Sequence, residues 1–107
     1  EYGSGGRVIG KAVAEKLGVP FVHGAIGGLY GETAVLRAGD VPPWELFGAG
    51  DKGEEVECGN PSFTPPFIAS AQAAEAVRIL TRGEETQRKT LFWFDISRLT
   101  VRRLNLK

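Results

Sequence analysis

The stretch from Thr64 to Gly83 constrains this chain more than any other. From Phe67 to Leu80 it carries Ala69, Ala71, Ala73, Ala74 and Ala76 among Phe67, Ile68, Val77, Ile79 and Leu80. Its only polar side chains are Ser70, Gln72, Glu75 and Arg78. Alanine is the best helix former, and a helix this short of polar groups is expected to pack against something over most of its surface. Both ends carry signals. Thr64 offers an oxygen as N-cap, and Pro65 suits the first helical position, where a missing N–H costs nothing. Arg82 complements the C-terminal dipole, and Gly83 supplies a left-handed stop. Such a helix needs a sheet or another helix beneath it.

Strand-like segments lie on both sides. Ile9, Val13 and Leu17 recur every four residues and predict a helix over residues 5–17, stopped by Gly18 and Pro20. Phe21 to Ile26 follows as a short buried strand, so the opening reads as the α-to-β half of a doubly wound unit. Gly27-Gly28 and Gly31 mark a turn, and Glu32 to Ala38 alternates as a second strand. Asp40 through Asn60 reads as a loop of about twenty residues, a length that in so small a domain is usually functional or mobile. It contains Pro42-Pro43, a short turn at Trp44–Phe47 and the acids Glu54, Glu55 and Glu57. Thr90–Asp95 and Thr100–Leu106 form two last strands, joined by residues 96–100 as a hairpin. The expected fold is α/β, with order α-β-β-loop-α-β-β and a mixed sheet.

Composition narrows the function classes. The 107 residues suit one domain. With 13 basic and 13 acidic side chains, the chain has no electrostatic case for nucleic acid or an anionic membrane. One cysteine makes neither an internal disulfide nor the thiolate set of a structural zinc site. No apolar run is long enough to cross a bilayer, and no leader pattern opens the sequence, so a cytoplasmic protein is expected. Fourteen of the 15 glycines fall between Gly3 and Gly59, which sets the two halves apart.

Three motifs invite chemistry. Gly5-Gly6-Arg7-Val8-Ile9-Gly10-Lys11-Ala12 fits G-x-x-x-x-G-K, but Ala12 stands where a magnesium-binding hydroxyl belongs, and no strand precedes it. Gly24–Gly31 lacks the dinucleotide spacing and reads instead as a connection where backbones approach closely. His23 and Cys58, the only imidazole and the only thiol, can be written as a nucleophilic pair. His23 sits on a predicted buried strand and reads better as a satisfied structural histidine. Cys58 lies among glycines just before a helix N-terminus, which lowers a thiol pKa, beside glutamates, which raise it. A functional and an incidental thiol stay open. The cations Arg98, Arg102, Arg103 and Lys107 read as protection of an edge strand.

Several segments together resemble a family. Gly18-Val19-Pro20-Phe21-Val22-His23-Gly24-Ala25-Ile26-Gly27-Gly28-Leu29-Tyr30-Gly31-Glu32 resembles the "G-[IV]-P-[LF]-V-x-G-A" segment of the ThiF/MoeB/HesA proteins, bacterial relatives of ubiquitin-activating enzymes. Asn60-Pro61-Ser62-Phe63-Thr64-Pro65, with Ala69, Gln72, Ala73, Glu75, Ala76 and Ile79-Leu80, is similar to their late helix and its entry. Leu91-Phe92-Trp93-Phe94-Asp95 matches the "LL-x-[FI]-D" strand that follows. Arg7 is similar in position to the arginine of D-N-x-x-x-R, with Tyr2-Gly3 in place of Asp-Asn. The likeness runs from Arg7 to the end of the chain.

The resemblance implies the C-terminal part of a Rossmann-like adenylyltransferase. The whole enzyme uses ATP and Mg²⁺ to adenylate the C-terminal Gly-Gly of a ubiquitin-like sulfur carrier protein for molybdopterin or thiamine synthesis, and works as a homodimer. It implies Cys58 as a thiol or persulfide acceptor, Arg7 near the ATP site, and Asn60, Phe63 and Thr64 along the carrier tail. Residues 40–60 correspond to the crossover loop over that tail. The glycine-rich nucleotide loop and the Mg²⁺-binding aspartate belong to a preceding half that this sequence does not contain, so this chain alone is expected to bind no nucleotide and to adenylate nothing. No zinc is expected. A non-catalytic dimerisation or carrier-docking module is the alternative. As half of a larger domain, the chain is expected to expose a sheet edge and an apolar helix face, and either to self-associate through that surface or to be less stable than a complete domain.

Overall fold

The computed structural model describes residues 4–46, 61–82 and 89–106. Ser4–Leu17 forms α1, Phe21–Gly27 β1, Tyr30–Leu36 β2 and Pro43–Leu46 the single turn α2; Thr64–Arg82 forms α3, Thr90–Asp95 β3 and Thr100–Asn105 β4. This is a small α/β domain in the expected element order. The rest of the long loop, and the Gly83 stop of α3, lie outside the described residues.

The sheet corrects one expectation. Its four strands run in the order β1-β2-β3-β4, and every neighbouring pair is antiparallel, so the sheet is not mixed and α1–β1 is not half of a doubly wound unit. The connections explain why. β1 and β2 are joined by the two residues Gly28-Leu29, with Gly28 at φ 61°, as a primed hairpin turn requires, and so short a link joins only antiparallel strands. α3 begins at the β1–β2 turn, with the Thr64 hydroxyl on the Gly28 carbonyl, and runs toward the other end of the sheet. β3 then starts beside the end of β2, with Lys89 N–H on the Val35 carbonyl, and so runs opposite to it. At the other hairpin, a four-residue loop, Ile96–Leu99, closes on the Asp95–Thr100 pair with Leu99 at φ 55°.

The second strand begins two residues earlier than its alternation suggests. Gly31 is not a turn residue but sits inside β2, opposite Ile26 and Phe94. A Cβ there would stand 2.4 Å from Ile68 of α3, and one at Gly24 would stand 2.3 Å from Gln72. Both glycines lie on the back of the sheet and let α3 come close. Gln72 Nε2 donates to the Val22 carbonyl, and Phe67 meets Phe94 edge to face. Contrary to the expectation of packing over most of its surface, α3 buries only Thr64 and Ile68, while Val77 and Leu80 face outward. Its amphipathic contact is a narrow seam.

The front of the sheet carries the core. Ala34, Leu36, Leu91 and Leu106 are buried together, with Phe21, Trp44 and Leu104 packed against them. Burying a leucine fully contributes about 1.5–3 kcal/mol. α1 leans on β1, its Gly10 directly over the Phe21 ring. Beyond β2, Arg37 N–H donates to buried Asp40, and the Arg37 guanidinium donates to the Gly18 carbonyl, tying this corner to the end of α1. Among the described residues no helix is long and apolar enough to cross a membrane.

Candidate functional site

Strand alternation places Phe21, His23 and Ala25 on the front, facing Leu36, Ala34 and Glu32 across the β1–β2 ladder. His23 is directly opposite Ala34 and diagonal to Glu32, close enough for long side chains to meet. His23 is 1% exposed, and its Nε2 donates to Glu32 Oε2 at 2.9 Å. The partly exposed Glu32 carboxylate is the acceptor that keeps a buried imidazole satisfied. Trp44 of α2 covers the imidazole, with ring centroids 5.2 Å apart. The Arg7 guanidinium of α1 lies 5.4 Å from the Trp44 ring centre on a cation–π contact. A stack therefore runs Arg7, Trp44, His23, Glu32, joining α1 and α2 to both strands.

The chemistry of this stack follows from its burial. His23 is shut off from water and its Nε2 is committed to Glu32, so its ring holds Trp44 in place. This is the structural histidine expected from its buried strand. Arg7 is the group of the stack with chemistry to spare. Its Nε is enclosed and, among the described residues, has no hydrogen-bond partner, a costly arrangement for a charged group. An anionic group brought to the guanidinium would relieve it.

The residues carried over from the family likeness fall in two places. Arg7 belongs to the front stack. Thr64 is buried at the start of α3, and its hydroxyl donates to the Gly28 carbonyl at 2.8 Å. The Thr64 side chain therefore bridges the helix to the hairpin turn in place of the expected cap. Phe63, just before it, is 52% exposed. No hydrogen bond or ring contact joins Arg7 to Phe63 or Thr64. Cys58 and Asn60 lie outside the described residues, and so does any pairing of Cys58 with His23.

Four participants carry no signal in sequence pattern alone. By alternation Glu32 is the first residue of a strand; only the two-residue turn sets the register that brings it to His23. Trp44 belongs by its sequence to a short turn. Tyr30 and Trp93 stack at 5.5 Å further along the front, beside a shallow hollow of about 180 Å³ formed by Trp93, Arg102 and Leu104. Among the described residues no three His, Cys, Asp or Glu side chains gather as metal ligands. No family model matches the chain, and no curated protein matches it either.

Proposed function

We propose that this chain is the C-terminal, carrier-docking segment of an ATP-dependent adenylyltransferase of the ThiF/MoeB/HesA type, which acts as a homodimer on the Gly-Gly terminus of a ubiquitin-like sulfur carrier. One observation carries the reading. The separate segments that resemble the family meet in space: Gly24 and Gly31 of the first receive Gln72 and Ile68 of the second, Thr64 bonds Gly28, and the third pairs with the first as β3 on β2. Segments similar to one family in sequence thus depend on one another in packing.

The described residues supply one fragment of a nucleotide site, the Arg7 guanidinium, and no carboxylate cluster for Mg²⁺. They do not fit ATP and Mg²⁺ by themselves, and no adenylation step is derived from them. What the chain contributes is recognition. Phe63 presents an exposed ring at the entry of α3, beside the hairpin turn that Thr64 holds in place. In the whole enzyme Phe63 and Asn60 contact the carrier tail, and the Cys58 thiolate displaces AMP from the acyl-adenylate to form a thioester. The non-catalytic alternative, a dimerisation or docking module, differs only in leaving Cys58 unused.

Titration of the chain with a ubiquitin-like carrier ending in Gly-Gly, followed by NMR of the carrier, tests the proposal. Shifts concentrated on the carrier tail, weakened about tenfold by Phe63→Ala, are expected. No shift at any carrier concentration, or ATP–pyrophosphate exchange by this chain alone, overturns it.

A further inference from the structure

β4 closes the sheet on one side, and among the described residues no strand pairs with its outer margin. Thr100–Asn105 reads Thr-Val-Arg-Arg-Leu-Asn, with two arginines and no acid, and every residue of it except Leu104 is exposed. The ladder fixes what this margin offers. Leu106 N–H donates to the Lys89 carbonyl, so the hydrogen-bonded pairs that follow are Leu104 with Leu91 and Arg102 with Trp93. The main-chain N–H and C=O groups of Val101, Arg103 and Asn105 therefore point away from β3.

Side chains alternate along the same residues. Arg102 stands on the front, where it lines a hollow of about 180 Å³ with Trp93 and Leu104. On the back stand Val101, exposed and opposite Phe94, and Arg103, its guanidinium 5.5 Å from the Phe92 ring centre. Each face of the margin thus carries one cation and one apolar contact. Arg98, at the hairpin tip, lies 4.0 Å from Asp95 of its own turn and stands apart from them. Two arginines on an edge repel a second copy of the same strand, because like charges would face each other. The same two arginines attract a strand of opposite charge.

We propose that β4 takes up an extended acidic segment of a partner protein as a fifth strand. Val101, Arg103 and Asn105 supply main-chain bonds, and the side chains of β4 set the sequence that fits. The segment residue opposite Arg103 lies on the back, and its neighbour opposite Arg102 lies on the front. Two successive acids therefore each meet one arginine. The residues flanking these acids face Leu104 and the hollow on the front, and Val101 with Phe94 on the back, and both are apolar. The complement is apolar–acid–acid–apolar, which reads the same whichever way the segment runs. The proposal does not depend on the adenylation reading. A Gly-Gly tail carries no acid, and its contacts are placed at Phe63, so failure of either titration leaves the other standing.

The capped peptide Ser-Leu-Glu-Glu-Val-Ser, titrated into the full chain and followed by NMR and amide exchange, provides the test. Shifts along β4 are expected, with the Val101 and Arg103 amides protected. Arg102→Glu or Arg103→Glu, both at exposed positions, weakens binding about tenfold with unchanged circular dichroism. The double variant prefers the counterpart Ser-Leu-Lys-Lys-Val-Ser. Methylating the main-chain nitrogens of both glutamates keeps the charges and abolishes binding. No shift in β4 at any peptide concentration, equal binding of the lysine peptide to the unaltered chain, or undiminished binding of the methylated peptide overturns the proposal.

Discussion

At the scale of single residues, two glycines and one carboxylate matter most. Gly31 has Ile68 packed where a side chain would begin, with a hypothetical Cβ 2.4 Å from Cδ1 and Cγ1. Ile68 is buried and cannot withdraw, so Gly31→Ala overpacks the seam between α3 and β2. We expect a loss of about 1–3 kcal/mol in urea unfolding, partly recovered by adding Ile68→Val. Gly24→Ala meets the end of the Gln72 side chain, which can swing aside, and should cost less. Among the described residues, Glu32 is the hydrogen-bond partner of a histidine that water does not reach. Glu32→Ala orphans the imidazole and should cost about 1–3 kcal/mol, whereas Glu32→Gln keeps an acceptor oxygen within reach and costs less. Equal losses for both variants would show that the His23–Glu32 bond does not hold the front stack.

At the scale of elements, α3 and the β1–β2 hairpin form the working unit. The hairpin gives α3 a bed of small residues on the back of the sheet, and α3 returns one side-chain bond at each of two points: Thr64 to Gly28 and Gln72 to Val22. Thr64→Val keeps shape but removes a buried donor and leaves the Gly28 carbonyl short of that bond. Thermal unfolding should shift down by an amount equal to about 1–2 kcal/mol, and Thr64→Ser should recover most of it. The helix itself was legible in advance, because its alanines and apolar residues leave no competing period. The Thr64 role was not. A threonine before a proline looks the same whether its oxygen caps its own helix or reaches a turn 36 residues away. β2 starts two residues before its alternation shows for a related reason: glycine at position 31 signals a turn locally, and only the arrival of Ile68 explains a glycine inside a strand.

At the scale of the whole molecule, the exposed Val8, Ile9, Val13 and Leu17 of α1 and the uncharged edge of β1 sit together at one margin, and the arginines of β4 line the other. If copies meet at the first margin, stability is linked to association. The melting temperature should then rise with protein concentration, and Val13→Glu should abolish that dependence. A melting temperature independent of concentration would count against a stable dimer. The front stack belongs to this scale too, because Arg7, Trp44, His23 and Glu32 come from four elements and converge only once both hairpin and corner have formed.

The sequence by itself determined the kinds of element and their order: a period of four for α1, a capped alanine-rich α3, alternating strands, and glycines where the chain turns or backbones approach. These are local properties, written within a few neighbouring residues. It also carried the family likeness on which the adenylation proposal rests. Only the tertiary structure decided strand direction, register and partners. Direction depended on where α3 starts and where β3 begins beside β2, and register on a two-residue turn. His23 acquired Glu32, and Arg7 acquired Trp44, only through both. Such outcomes are set by contacts between residues far apart in the chain, which composition and periodicity do not record.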